Sequence, residues 1–167
     1  MLVDLKVTDF LNKVAGNDPV PGGGSVAALN GAIASALAVM VAGLTIGKKG
    51  YEDTGEIMKH IQTLALTQKT GFVVDIDRDS EAYNKVFDCF KLPKSTDEEK
   101  KIRSAAIQEA TKFAALVPMQ VARNAYELMG IIADVAKMGN RNAVTDACVA
   151  MISARSAVLA ALMNGRI

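Results

Sequence analysis

The chain has 167 residues, half of them hydrophobic, which suits a single domain able to bury roughly two thirds of its unfolded surface. Its 19 Lys and Arg against 18 Asp and Glu leave a formal charge of +1, which excludes an overall field drawing it onto nucleic acid or an anionic membrane. Cys89 and Cys148 form no CxxC pair, and Met1 to Phe10 lacks the basic-then-apolar pattern of a secretion signal, so a reduced cytoplasmic protein is expected.

Apolar residues recur at helical spacing almost throughout, and no alternating β-branched run appears. The predicted fold class is all-α: a single bundle of about six helices, residues 1–167, around a buried Ala/Gly-rich central helix. Thr8 is the expected cap of a short first helix to about Ala15, followed by an irregular stretch through Pro19 and Pro21-Gly22-Gly23-Gly24. Ser25 is the expected N-cap of the central helix, which should stop around Gly47 to Gly50. Val26 to Ile46 carries no charge and is long enough to cross a bilayer. Its Gly31, Ser35, Gly43 and many Ala equally suit the middle of a soluble bundle, and no other segment competes as a span. With amphipathic, charged segments on either side, a buried core helix and no membrane partner are expected.

A long third helix is predicted from near Glu56 to Lys91, ended by Pro93, with Gly71 marking a kink. Thr96-Asp97-Glu98-Glu99 has the form of a capping box and starts a fourth helix. Pro118 should break or bend the pattern, a fifth helix should reach about Met138, and Gly139-Asn140-Arg141-Asn142 should lead to a last Ala-rich helix capped by Thr145 or Asn142. Much smooth apolar surface on the central and last helices predicts a homodimer.

Within the third helix, Phe72, Ile76, Asp79, Tyr83, Val86 and Phe90 follow steps of four and three. Asp75, Asp77 and Glu81 read as a solvated face, whereas Asp79 falls on the inward stripe. A buried carboxylate needs a partner, a cavity or a job. The stripe alone leaves open whether Asp79 caps another helix or does chemistry, and whether Tyr83 orients it or packs. Gly22, Gly23, Gly24 and Ser25 lead into a helix whose free N–H groups can hold an anionic or carbonyl oxygen, although no Walker spacing is present, and a plain turn accounts for them as well. Lys48 and Lys49 can meet a helix C-terminus or a ligand carboxylate. Asn140 and Asn142 can read a heterocycle edge or serve as turn and cap residues. His60, the single histidine, has no ligand spacing around it, so neither a metal site nor a Ser-His-Asp triad is expected.

Three ordered blocks carry a resemblance. PGGGSVAALNGAIASALAVMVAGLTIGKKGYE (Pro21 to Glu52), DRDSEAYNKVFDCFKLPKSTDEEKKIRSAAIQEAT (Asp77 to Thr111) and GNRNAVTDACVA (Gly139 to Ala150) resemble the cyclodeaminase/cyclohydrolase family of folate enzymes. The resemblance implies an active-site aspartate at Asp79 and a tetrahydrofolate derivative as substrate, with no metal. It implies methenyltetrahydrofolate cyclohydrolase activity, or alternatively formiminotetrahydrofolate cyclodeaminase activity with release of ammonia. The first is favoured because no formiminotransferase domain is attached. A non-catalytic folate-binding protein is the reading from another class. Family members usually continue past the position of Asn164 into a further helix. The expected arrangement places the pterin between helices, its edge on Asn140 or Asn142, its glutamate tail on Lys48 or Lys49, and its bridge carbon at Asp79.

Overall fold

In the computed structural model, which describes residues 1–166, the chain is all-α. The described residues form five α-helices: α1 (Val7–Val14), α2 (Gly23–Gly43), α3 (Gly55–Phe90), α4 (Asp97–Met138) and α5 (Val144–Asn164). Single 3-10 turns stand at Leu2–Asp4, Glu52–Thr54 and Arg141–Ala143.

Helix α2 runs antiparallel to α3 and to α5. Its first turn meets Ile76 and Ser80 of α3, while Val41 and Ala42 near its end pack on Met58 and Ile61 of α3 and on Ala147 of α5. Side-chain size explains how it fits between its neighbours. Gly24, Ala28, Gly31, Ser35, Ala38 and Ala42 recur in steps of four and three on its buried side, and Ala147, Ala150, Ala154, Ala157 and Ala161 do the same on α5. Small residues facing one another let helix axes approach at the short end of the usual 8–10 Å range. Bulk comes from α3 and α4, which contribute Phe72, Met58, Leu128 and Ile132, all fully buried. Burial on several sides accounts for the uncharged run in α2. Contrary to expectation, α2 is not alone in this: the stretch Arg141–Asn164 is also long and apolar enough to cross a membrane.

The two longest helices overrun the rest. At 1.5 Å per residue, the 36 residues of α3 span about 54 Å against about 32 Å for the 21 of α2. The end of α3 from about Ala82 and the first half of α4 therefore project as a two-helix arm, held by Ala82, Val86, Ala114 and Val117.

Several boundaries differ from expectation. Helix α1 starts at Val7 after Lys6 with no side-chain cap, so Thr8 lies inside it. The N-cap of α2 is Gly22, and Ser25 is the helix's third residue. Helix α2 stops at Gly43, and the turns beyond it use Gly47 and Gly50 at φ 71 and 88, where a Cβ is disfavoured. Pro118 sits inside an unbroken α4 of 42 residues, which fuses two expected helices into one. Helix α3 continues through Gly71. Neither Thr145 nor Asn142 caps α5, whose N-cap is Ala143. The capping box is present: Thr96 accepts from the Glu99 amide at 3.2 Å, and Glu99 accepts from the Thr96 amide at 2.9 Å.

Two glycines make opposite predictions. A Cβ on Gly31 would lie 2.7 Å from the Phe72 ring, which is fully buried, whereas one on Gly71 meets nothing within 4 Å. Gly31→Ala should lower unfolding free energy by about 1–3 kcal/mol through overpacking, and Gly71→Ala should raise it by about 0.5–1 kcal/mol through helix propensity. Urea unfolding of both variants checks the pair.

Candidate active site

The first turn of a buried helix leaves amide N–H groups without intrahelical partners, and here no side chain of α2 caps them. A carboxylate from α3 lies against that helix end. Asp79 Oδ2 accepts from the Ser25 hydroxyl at 3.2 Å, and the Ser25 amide also stabilises its ionised form. The site a Cβ of Gly24 would fill is taken by the Asp79 carboxylate, and a Cβ on Gly23 would lie 2.8 Å from the Asn164 side-chain nitrogen. The glycines thus clear room for two side chains to reach the positive end of α2.

Both influences on Asp79 are visible. Burial pushes its carboxyl above the ordinary aspartate value, the Ser25 hydroxyl and amide pull it back, and the charge of Asp75 one turn earlier adds to the rise. The net direction is upward, toward a stronger base than an exposed aspartate.

Around Asp79 lies a cavity of about 150 Å³ lined by Pro19, Val20, Gly22–Gly24, Tyr83, Ala114, Pro118 and Asn164. It is smaller than the roughly 300–1,000 Å³ usual for small-molecule sites. Through Tyr83 and Ala114 it adjoins an apolar cleft of about 240 Å³ on the arm, bordered by Val86, Phe87, Phe90 and Thr111. The predicted stripe is thus buried only at Phe72 and Ile76. Where α3 outruns α2, Tyr83 and Phe90 become exposed walls of this cleft, 39% and 51% accessible.

Two lining residues that shape the site, Asn164 and Pro118, are not evident as site residues from the sequence. Asn164 turns its side-chain nitrogen to the Ala160 carbonyl at 2.8 Å, and its oxygen has no hydrogen-bond partner among the described residues. No local pattern marks it. Pro118 has no N–H to give the Ala114 carbonyl four residues back, so the missing helical bond of α4 falls at the cavity wall. Its signal was present in the sequence and was read as a break.

Other predicted residues lie elsewhere. Asn140 is buried beyond the far end of α2, about 32 Å along that helix from Gly23. Its side-chain oxygen accepts from Lys48 at 2.7 Å and from the Asn142 amide at 3.1 Å, while its nitrogen donates to the Leu44 carbonyl at 3.1 Å. Lys48 also lies 5.8 Å from the Tyr51 ring centroid. This cluster closes the C-terminal end of α2, and Lys49 and Asn142 stand exposed beside it. Within one chain, Lys48, Lys49, Asn140 and Asn142 do not share a cavity with Asp79. Nor are Asp75 and Asp77 a solvated face: they are 5% and 8% exposed. Arg78 pairs with Asp75 at 3.4 Å, and Asp77 accepts from the Leu2 amide at 2.6 Å, pinning the N-terminal turn to α3.

Comparison with known proteins gives a consistent set of likenesses. Residues 6–167 match the family model described as formiminotransferase-cyclodeaminase. A methenyltetrahydrofolate cyclohydrolase of Methylorubrum extorquens is 41% identical over 162 residues, covering 95% of this chain and 76% of that protein. The formimidoyltransferase-cyclodeaminase of Mus musculus is 30% identical over 98% of this chain, which spans only 30% of that longer protein. The crystal structure of formiminotetrahydrofolate cyclodeaminase from Thermotoga maritima superposes with a TM-score of 0.85 at 33% identity, over 98% of this chain and 78% of that one.

The raised Asp79 value carries a stability prediction. A carboxyl whose folded value exceeds its unfolded value favours folding when protonated, a contribution fully present below the ordinary aspartate range and lost as pH rises through the raised value. Asp79→Asn, which does not ionise, should escape that loss. Melting scans from pH ~3.5 to neutral should show the variant at or above wild type near neutral pH, with the difference shrinking on acidification. A variant less stable than wild type near neutral pH, with the deficit shrinking on acidification, would mean that the ionised group holds α2 in place.

Proposed function

This chain belongs to the formiminotransferase-cyclodeaminase family, and from that membership we propose that it is a folate one-carbon enzyme, a methenyltetrahydrofolate cyclohydrolase that opens 5,10-methenyltetrahydrofolate to 10-formyltetrahydrofolate. The observation that carries the choice of reaction is the 41% identity to a cyclohydrolase over 95% of this chain. Formiminotetrahydrofolate cyclodeaminase is the second reading, favoured by the superposition on the Thermotoga maritima protein.

The geometry supplies a mechanism. The bridge carbon of the substrate is an amidinium cation between N5 and N10, and a carboxylate in a partly desolvated cavity stabilises such charge more than water does. Asp79 accepts a proton from the attacking water as its oxygen bonds to that carbon. The hydroxyl proton of the neutral adduct then passes to N5 as the C–N5 bond breaks. The formyl group remains on N10, and one proton is released overall. The aromatic parts of the folate lie along Tyr83, Phe87 and Phe90, where flat apolar surface adjoins the catalytic cavity. In the cyclodeaminase reading, N10 attacks the formimino carbon and the same carboxylate conducts a proton to the departing ammonia.

We further propose a homodimer built on α2 and α5. Helix α2 presents Ile33 and Met40, with Leu44 just past its end, and α5 presents Val149, Ile152 and Leu159, as exposed apolar side chains. Wild type should sediment as a dimer at micromolar concentration, and Ile152→Lys, placing a charge where the side chain is 65% exposed, should sediment as a monomer. A wild-type monomer would remove the dimer.

Absorbance loss of methenyltetrahydrofolate, measured beside ammonia release from formiminotetrahydrofolate, separates the two activities. Asp79→Asn should lower turnover about a hundred- to ten-thousandfold with folate affinity changed far less. Asp77 is unsuitable as a control because it anchors the N-terminal turn. The exposed Glu81→Gln serves instead and should keep wild-type turnover. A folded Asp79→Asn protein with full activity on both folates would end the mechanism.

A further inference from the structure

Ser25 is fully buried, and its hydroxyl oxygen has three neighbours: the Ile76 carbonyl at 2.8 Å, Ser80 Oγ at 3.0 Å and Asp79 Oδ2 at 3.2 Å. A serine hydroxyl has one proton and two lone pairs. It can donate to the Ile76 carbonyl or to Asp79, but not to both, while Ser80 can donate into it. The Ile76 carbonyl is already the helical acceptor for the Ser80 amide, so its bond from Ser25 is a second one and the easier to give up. Donation to an ionised carboxylate is charge-assisted and roughly twice as strong as donation to a neutral group.

We propose that Ser25 is a positioning residue for Asp79, its proton turning to the carboxylate when Asp79 is ionised and to the Ile76 carbonyl when Asp79 is protonated, with Ser80 donating into the Ser25 oxygen. The hydroxyl pair thereby holds the base in one rotamer and weakens its grip on the captured proton, so that the proton can be passed on. The inference draws its catalytic meaning from the reading of Asp79 as the base. Few other groups face Asp79. On α3 they are Asp75, paired with Arg78, and the Tyr83 phenol. The cavity residues from α2 are Gly23 and Gly24, from α4 Ala114 and Pro118, and from α5 Asn164, none with a titratable side chain. Burial and Asp75 push the Asp79 carboxyl upward, and Ser25 opposes them, so removing the hydroxyl has a definite sign.

The test reads Asp79 itself, by carbon NMR of protein carrying 13C-carboxyl aspartate, with the Asp79 signal assigned from its absence in Asp79→Asn. In Ser25→Ala the titration midpoint should rise by about one pH unit, the size expected for losing one hydrogen bond to a charged group. Ser80→Ala should move it less, in the same direction, and serves if Ser25→Ala does not fold. An unchanged midpoint in the folded variant overturns the inference. The pH–rate profile then separates this inference from the functional reading. An acidic limb that moves with the midpoint supports both. A limb that stays put while the NMR midpoint moves leaves Ser25 tuning Asp79 but removes Asp79 as the base.

Discussion

A helix packed among other helices at its N-terminal end has amides there that water does not freely reach. Helix α2 begins Gly-Gly-Ser after a glycine cap, with no side chain of its own to satisfy them. The fold sets a carboxylate from α3 against that helix end, bonded through the Ser25 hydroxyl, and the local architecture is arranged around that contact. The register of α2 against α3 sets Ser25 opposite Ile76, Asp79 and Ser80. The glycines at 23 and 24 are required because Asn164 and Asp79 occupy the places their side chains would take. What would otherwise be an ordinary cap becomes a site because the cap is held at the edge of a cavity, where one side of the carboxylate is left for another molecule.

The same arrangement explains how a structural role and the proposed catalytic one are compatible in one residue. A fully solvated cap would be a weak base, and a sealed one would be inaccessible. Asp79 sits between these limits, half-buried, with the helix end favouring its charge and the surrounding apolar wall and Asp75 opposing it. The balance leaves a base stronger than a surface aspartate without severing its tie to the fold.

The all-α class, the central small-residue helix, the long third helix and the Thr96 capping box were legible because each rests on local chemistry: helical periodicity, side-chain size and cap spacing. The half-buried position of Asp79 at a cavity was legible for a related reason, as a charge on an apolar stripe. Where the reading failed, distance or context decided. Ser25 carried the residue type of a cap, but the preceding glycines let the helix begin three residues earlier and turned its hydroxyl toward α3. Pro118 reads as a breaker, yet packing on both sides carries α4 through it, and the lost bond lies at a cavity. Asp75 and Asp77 were misassigned because their partners, Arg78 and the N-terminal turn, do not show in the spacing of α3. Asn140 and Lys48 were grouped with Asp79 through resemblance, and nothing in sequence says that the length of α2 lies between them.

The overhang of α3 and α4 gives the molecule two regions of unequal local stability. Inside the bundle, opening α3 means parting it from α2 and α4 together. On the arm, it means parting it from α4 alone, across Ala82, Val86, Ala114 and Val117. Backbone amides beyond about residue 82 should therefore exchange with solvent through local fraying, while those nearer Phe72 exchange only through global unfolding. The cleft bordered by Tyr83, Phe87 and Phe90 belongs to the fraying region and the carboxylate to the slow one. A ligand in that cleft could thus come and go by the breathing of two helix ends while the proposed base stays registered to the core.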